Sequence, residues 1–372
     1  MRIGIDARSL YYSAGGIGRT TRLLIEALWR ANDAHEEMVL FHSRKHRPWQ
    51  ASHFFPQGIV RPVPLWTPSH HRWEQWTLPV EMALHRLDVL HSPDFIPPFH
   101  RLCPAVITVH DLAFLRSPDL LTEESRRYYG QVRRAVRSAQ GVAAVSEATK
   151  RDMVELLGVA AERVSVIHWG MEPHFQTLPE EEVRAYIAQR GLPERFILWL
   201  GVIEPRKNLA ALLRALADLK QRGCVPLPLV VAGATGWLAE ETLDLISTLH
   251  LEELVHRLGS FEPAEQPLLY NAAQAFLFPS LYEGFGLPPL EAMACGTPVA
   301  AANTPALCEV LGSAALFVDP EDVPGWADAI QRLVEDEPLR ERLRADGVAR
   351  AAPFRWEDTA RAYLQLYRQA AA

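Results

Sequence analysis

Short runs of aliphatic and β-branched residues alternate along this chain with longer stretches whose apolar side chains recur every three to four positions. The runs are too short for helices and read as buried strands. In the first half they are Arg2–Asp6, Met38–His42, Asp88–Ser92, Ala105–His110, Gly141–Ser146 and Val164–His168. In the second they are Phe196–Gly201, Leu229–Gly233, Ala275–Pro279, Pro298–Ala302 and Ala314–Val318. Thr20–Ala31 sets the helical pattern between them, with Leu23, Leu24, Ala27 and Leu28 on one face. Strands and helices in alternation imply a parallel sheet covered on both faces, which places the chain in the α/β class.

The rhythm breaks once. From Pro173 to Glu182 the chain is polar and acidic, and strands resume only at Phe196. The seam is expected between Glu172 and Glu194, giving two doubly wound, Rossmann-like domains over 1–180 and 190–355 that face each other across a cleft. The last helical stretch, 356–372, has no strand after it and is expected to pack back on the first domain. Ligands bind such sheets beyond the carboxyl ends of the strands, so chemistry is sought in the loops that follow them.

Composition narrows the function. The 372 residues suit two cores better than one, since single cores stop growing near about 250–300 residues. Hydrophobic residues at 48% and charged ones at 22% exclude a disordered chain. A net charge of −7 argues against general nucleic-acid binding, which needs cationic contacts to phosphates. Cys103, Cys224, Cys295 and Cys308 show no metal or disulfide spacing and suit a reducing compartment. The amino terminus enters a strand directly, without a charged-then-apolar leader, and no apolar run approaches the roughly 18 residues of a membrane span. The expected location is cytoplasmic, with the inner face of the membrane left open.

The segment with the most chemistry is Glu283-Gly-Phe-Gly-Leu-Pro-Pro-Leu-Glu291. It joins the strand Ala275–Pro279 to a helix entered through Pro288 and Pro289, residues favoured in a first turn. The prolines carry no N–H, so the donors at this helix start are expected from Gly286, Leu287, Leu290 and Glu291. Exposed donors at a positive dipole end suit a diphosphate. Flanking carboxylates suit sugar hydroxyls. Taken singly, Glu291 also reads as a dipole-complementing acid and Glu283 as a solvated loop acid.

Continued by Ala292-Met-Ala-Cys-Gly-Thr-Pro-Val299, this segment resembles the retaining glycosyltransferases of family 4, which have the two-domain GT-B fold, and the resemblance spans nearly the whole chain. The opening, Gly4-Ile-Asp-Ala-Arg8 followed by Gly15-Gly-Ile-Gly-Arg19, is similar to a mannosyltransferase-like branch that builds bacterial surface polysaccharides such as lipopolysaccharide. The resemblance implies that Glu283 contacts hydroxyls of the donor sugar, that Glu291 contacts the ribose, and that the donor is GDP-mannose.

Other loops add to this. Gly201-Val-Ile-Glu-Pro-Arg-Lys-Asn208 leaves a strand end at Gly201, and Arg206 and Lys207 are expected to open the next helix. Cations there run against the helix dipole, and a diphosphate would explain them. In the family the matching pair stabilises the leaving nucleotide. Gly15 and Gly16 permit close approach to a phosphate or acceptor, but the segment lacks the spacing of a nicotinamide fingerprint. His110 sits at a strand's carboxyl end, where the family's matching histidine contacts the donor sugar. Asp94, Ser146 and Arg19 are candidates for the same cleft, and the first two read equally well as turn or cap residues. Gly233–Gly236 follows a strand, and the resemblance implies that Gly259-Ser-Phe261 lies at the nucleobase, whose edge backbone groups of these loops would read.

No Asp-x-Asp pair occurs, so no metal and no cofactor are expected; Arg206, Lys207 and the helix start would supply the charge. No enzyme nucleophile stands out, which favours a front-face reaction assisted by the departing diphosphate. The expected partners are a nucleotide-diphosphate sugar and a glycan or lipid-linked acceptor, and no nucleic acid. Residues 126–139 form one amphipathic helical pattern with Tyr128, Val132, Ala135, Val136 and Ala139 opposite five arginines; Trp66, Trp73 and Trp76 form a second surface. Each suits an anionic membrane and each suits an ordinary fold element. A nucleotide-sugar 2-epimerase of similar architecture and a non-catalytic sugar-binding module are the competing functions.

Overall fold

The structure is a computed structural model and describes residues 1–12, 16–45, 60–116, 123–224 and 227–372. It divides into two compact units, Met1–Gly170 with Phe354–Ala372 and Met171–Pro353. The first unit holds a seven-stranded sheet: β1 (Arg2–Asp6), β2 (Glu37–Ser43), β3 (Val60–Leu65), β4 (Val89–Ser92), β5 (Ala105–Val109), β6 (Gly141–Ala144) and β7 (Val164–Val166). Their order is β3-β2-β1-β4-β5-β6-β7, with every pair parallel. The second holds β8 (Ile197–Leu200), β9 (Leu229–Ala232), β10 (Val255–Gly259), β11 (Ala275–Phe278), β12 (Val299–Ala302) and β13 (Leu316–Val318). These run β10-β9-β8-β11-β12-β13, again all parallel.

The strands β4, β5, β6, β8, β9, β11 and β12 are buried at every position. Such burial requires apolar side chains on both faces, which is why these strands read as unbroken apolar runs. Two strands were not expected, β3 and β10, and both lie at sheet edges. Pro62 and Pro64 stand opposite Leu40 and His42 in β3; proline cannot donate to a ladder, and an edge tolerates that. In β10 the exposed Arg257 and half-buried His256 break the apolar run.

The first unit closes through its C-terminal helix, Trp356–Ala371. Tyr363 bonds Thr108 at 2.7 Å and Tyr367 bonds His91 at 2.8 Å, while His91 bonds Thr108 through its other nitrogen at 2.8 Å. Trp169 packs on Trp356 and Tyr363, which carries the first unit as far as Gly170, so residues 171–180 belong to the second. Burial depresses the His91 imidazole to about 3, with His110 acting in the same direction. That ring is therefore neutral and serves only as a hydrogen-bonding strut.

The expected single helix over 126–139 is instead two, Glu123–Tyr129 and Val132–Ser138, interrupted at Gly130 and Gln131. Glycine is the poorest helix former after proline, and the break falls there. Tyr128, Val132, Ala135, Val136 and Ala139 are all in the core, so this segment has no apolar face left for lipid.

Candidate functional site

In the second sheet the strand order reverses between β8 and β11, the place where sheets of this kind bind ligands beyond the strands' carboxyl ends. The loop after β8 brings Glu204, Arg206, Lys207 and Asn208; the loop after β11 brings Ser280 to Gly286. They are tied together by the Leu281 amide donating to the Arg206 carbonyl at 2.9 Å. Lys207 Nζ donates to Glu283 Oε1 at 2.7 Å, Ser280 Oγ donates to the same oxygen at 2.6 Å, and Arg206 Nη1 stands 3.3 Å from it. Arg206 also donates to the Tyr282 carbonyl at 2.9 Å and to Glu204 at 2.8 Å. Burial pushes the Glu283 carboxyl up, but Lys207 and Arg206 outweigh it and hold the group at about 2. Glu283 is a carboxylate at neutral pH.

Arg206 and Lys207 do not open the α-helix. They lie in a 3-10 turn, Pro205–Lys207, and the helix begins at Leu209 after Asn208. Asn208 adopts φ 52° and its side-chain amide bonds the Pro279 and Pro320 carbonyls at 3.2 and 2.8 Å, which fixes the turn. The cations are held by the Glu283 and Glu204 carboxylates and so do not oppose a dipole.

The second helix start is at Leu287, in Leu287–Ala294, with Gly286 as its cap at φ 93°. By the i to i−4 rule the Leu290 and Glu291 amides close the first helical bonds, so the donors at this end come from Gly286 and Leu287 alone. A Cβ at Gly286 would stand 2.4 Å from the Leu307 side chain. Glu291 lies a turn further in and is 1% exposed. Its Oε2 accepts from Gln266 at 2.6 Å and from the Tyr270 hydroxyl at 3.0 Å. The two glutamates thus differ in kind: one is held by cations, the other by neutral donors.

Gly201, Gly233–Gly236 and Gly259 serve one another. The Gly233 amide donates to Gly259, the Ile203 amide to Ala234 and the Gly236 amide to Ile203, at 2.8, 2.9 and 3.0 Å. A Cβ on Gly233 would lie 1.9 Å from the Gly201 carbonyl oxygen. Close packing of the three loops uses these backbone groups. Phe261 is half-buried just beyond β10.

In the first unit His110 follows β5 and donates from Nε2 to the Pro93 carbonyl at 2.7 Å, with its ring stacked on Trp169. Burial lowers its pKa, against a smaller raising effect of that hydrogen bond and of Asp94 and Asp111, so it is neutral near pH 7. Asp94 pairs with His70 at 2.7 Å. Ser146 is a helix cap, accepting from the Thr149 amide at 3.0 Å. Gly15 lies outside the described residues. Gly16 is the exposed first residue of the helix Gly16–Arg30, and no protein atom lies within 4 Å of the place a Cβ would take. Arg19 is half-buried on the same helix. Sequence reasoning missed Glu204, Ser280, Gln266 and Tyr270. It also missed Arg8, a buried guanidinium held by Asp6 at 2.6 Å and by Glu74. Among the described residues no group of three or more His, Cys, Asp and Glu side chains is placed to hold a metal ion.

Two family models match the chain: Glycosyltransferase Family 4 over residues 14–175 and Glycosyl transferases group 1 over residues 184–350. O-antigen chain mannosyltransferase B of Escherichia coli is 30% identical over 385 residues, an alignment that takes in 99% of this chain and all of the relative. The chain belongs to glycosyltransferase family 4. Its fold is GT-B. The glycosyltransferase superposes on sucrose-phosphate synthase of Thermosynechococcus elongatus with a TM-score of 0.79 at 23% identity, covering 99% of this chain and 98% of that one. On the Anabaena protein HepE in complex with UDP and glucose the TM-score is 0.74 at 21% identity, with 98% of each chain covered. Among the described residues of this glycosyltransferase no helix is long and apolar enough to cross a membrane.

Proposed function

We propose that this chain transfers a mannosyl group, with retention of configuration and without a metal ion, from GDP-mannose to a hydroxyl of a glycan or lipid-linked acceptor of a surface polysaccharide. The observation that carries the reading is the Lys207–Glu283–Arg206 constellation at the strand-order reversal, beside the Gly286–Leu287 helix start. The mannosyl donor rests on the full-length similarity to an O-antigen chain mannosyltransferase.

A diphosphate arriving here exchanges places with Glu283 as the partner of Lys207 and Arg206, and takes the Gly286 and Leu287 amides. The released Glu283 carboxylate accepts hydrogen bonds from hydroxyls of the sugar. Glu291 does the same for a ribose, which would displace Gln266 or Tyr270 from it. The bond from the anomeric carbon to the diphosphate breaks, that carbon bonds the acceptor oxygen on the same face, and the acceptor proton passes to the departing diphosphate. The protein contributes positioning and charge stabilisation.

The test is a donor panel of GDP-mannose, UDP-glucose and other sugar nucleotides with the anomeric configuration of the product read by NMR. The expected result is an α-mannoside from GDP-mannose, undiminished by EDTA. An inverted product, restoration by magnesium after EDTA, or turnover of UDP-glucose in preference would each overturn the corresponding part.

A further inference from the structure

The helix Glu74–Ala83 is turned the wrong way round for a helix on the surface of an α/β unit. Leu78 and Met82 pack inward on Val39, Phe41 and Leu90, as they should. The polar residues, however, are also spent on the protein. Glu74 binds Arg8, Gln75 bonds the Pro97 carbonyl and the Phe99 amide, Thr77 bonds Thr67, and Glu81 accepts from Trp66 and Thr67. The face left to solvent carries Trp76, 69% exposed, and Val80, with Trp73 before it and Leu84, 86% exposed, after it. Trp66, 74% exposed, and Leu102, 87% exposed, lie in flanking segments of the same unit. Half of the large apolar side chains exposed on the described residues fall in this short stretch of chain. A surface helix that is apolar on both faces needs something to cover the outer one.

The charge around the patch says what. Arg44 lies over the Trp66 ring at 3.5 Å and Arg72 over Trp73 at 5.4 Å. Arg86 and Arg101 line a cavity of about 220 Å³ together with Pro79, Met82 and Leu102. In a chain whose net charge is −7, four arginines border this apolar patch, of which Arg101 is also bonded to the Pro98 and Ser138 carbonyls. A two-fold contact between copies would set those arginines against each other. A protein partner would seek directional hydrogen bonds, about one per 100–200 Å², from a helix whose polar side chains are already bonded. A lipid interface asks for neither: tryptophan rings and arginine stems sit at headgroup depth, and anionic headgroups meet the guanidiniums.

We propose that the face bearing Trp73, Trp76, Val80 and Leu84, with Trp66 and Leu102 beside it, docks this chain on an anionic lipid surface. The docking is independent of the sugar donor and would hold the enzyme where a lipid-linked acceptor is presented. The full chain is sedimented with vesicles of phosphatidylglycerol and phosphatidylethanolamine, and with vesicles of phosphatidylcholine alone, in the absence of any nucleotide. Binding is expected to the anionic vesicles only, weakening as salt rises from about 50 to about 500 mM. The double variant Trp76→Ser, Leu84→Ser should lose roughly ten-fold or more in vesicle affinity. The control pair Val154→Ser, Val348→Ser should lose none, and Leu102→Ser serves if circular dichroism shows the double variant misfolded. No binding to anionic vesicles at low salt overturns the proposal, as does equal binding by the patch variants. A dimer in solution that the patch variants dissociate, with vesicle binding unchanged, overturns it in favour of a contact between copies.

Discussion

Lys207 Nζ and Glu283 Oε1, 76 residues apart in the chain, stand 2.7 Å from each other at the point where the second sheet reverses its strand order. The pair joins the two loops. The consequences are separable by experiment.

Glu283→Gln keeps the shape and removes the charge. Lys207 and Arg206 are then left for a diphosphate, so the affinity for GDP, read by thermal shift or calorimetry, should hold or rise. Turnover should fall roughly 100-fold or more, because the group proposed to position the sugar has lost its charge. Loss of both nucleotide binding and turnover in a folded variant would show that Glu283 does not act on the sugar. Glu283→Ala is a poorer probe, since removing the whole side chain takes away the carboxylate that holds Lys207 together with the packing around it, and should destabilise as well.

The same carboxylate makes a pH prediction. Its folded value is about 2 against an ordinary 4.5, so the unfolded chain binds the proton more readily. The pairing therefore contributes in full above pH 4.5 and is lost as the pH falls from 4.5 toward 2. Chemical denaturation of the wild type and Glu283→Gln should give a stability gap that is constant above pH 4.5 and closes below it. A gap that persists unchanged to pH 3 would contradict the depressed value.

Gly286→Ala should damage the helix start twice over. Its φ of 93° disfavours any side chain, and the added Cβ would press on Leu307. A stability loss of about 1–3 kcal/mol is expected by thermal melt, with a smaller thermal shift from GDP than in the wild type. An unchanged GDP shift would remove the helix start from the donor site.

Tyr367→Phe leaves His91 with a buried ring nitrogen and no bond to the C-terminal helix. The expected cost is about 1–3 kcal/mol, visible in the melting temperature, with donor binding unaffected because Glu283, Lys207 and Gly286 belong to the other unit. A change in GDP affinity would show a coupling between the two.

The legible parts of the fold were the strands buried on both faces, whose apolar runs leave little else to read. The two edge strands were missed for opposite physical reasons: Pro62 and Pro64 are permitted in β3 by its free edge, and Arg257 in β10 by its solvent-facing side. In the site, Glu283, Glu291, Arg206 and Lys207 were all visible as residues. Their relationship was not, because an ion pair across 76 residues leaves no local periodicity. The mistaken helix register at Arg206 had a local cause, since Asn208 can take a left-handed conformation that ends the 3-10 turn and starts the helix anew. Gln266 and Tyr270 carry no motif at all; only the fold sets them against Glu291.

The return of the segment Phe354–Ala372 to the first unit also orders events at the ribosome. Met171–Pro353 is contiguous and can fold as soon as it has emerged. The first unit, though synthesised earlier, waits for Tyr363 and Tyr367 while the whole of the second is made, roughly ten seconds or more at ordinary rates of synthesis. During that interval His91 and Thr108 lack their tyrosine partners. A chain terminated at Pro353 would accordingly lose the integrity of its amino-terminal half and keep that of the half nearer the stop.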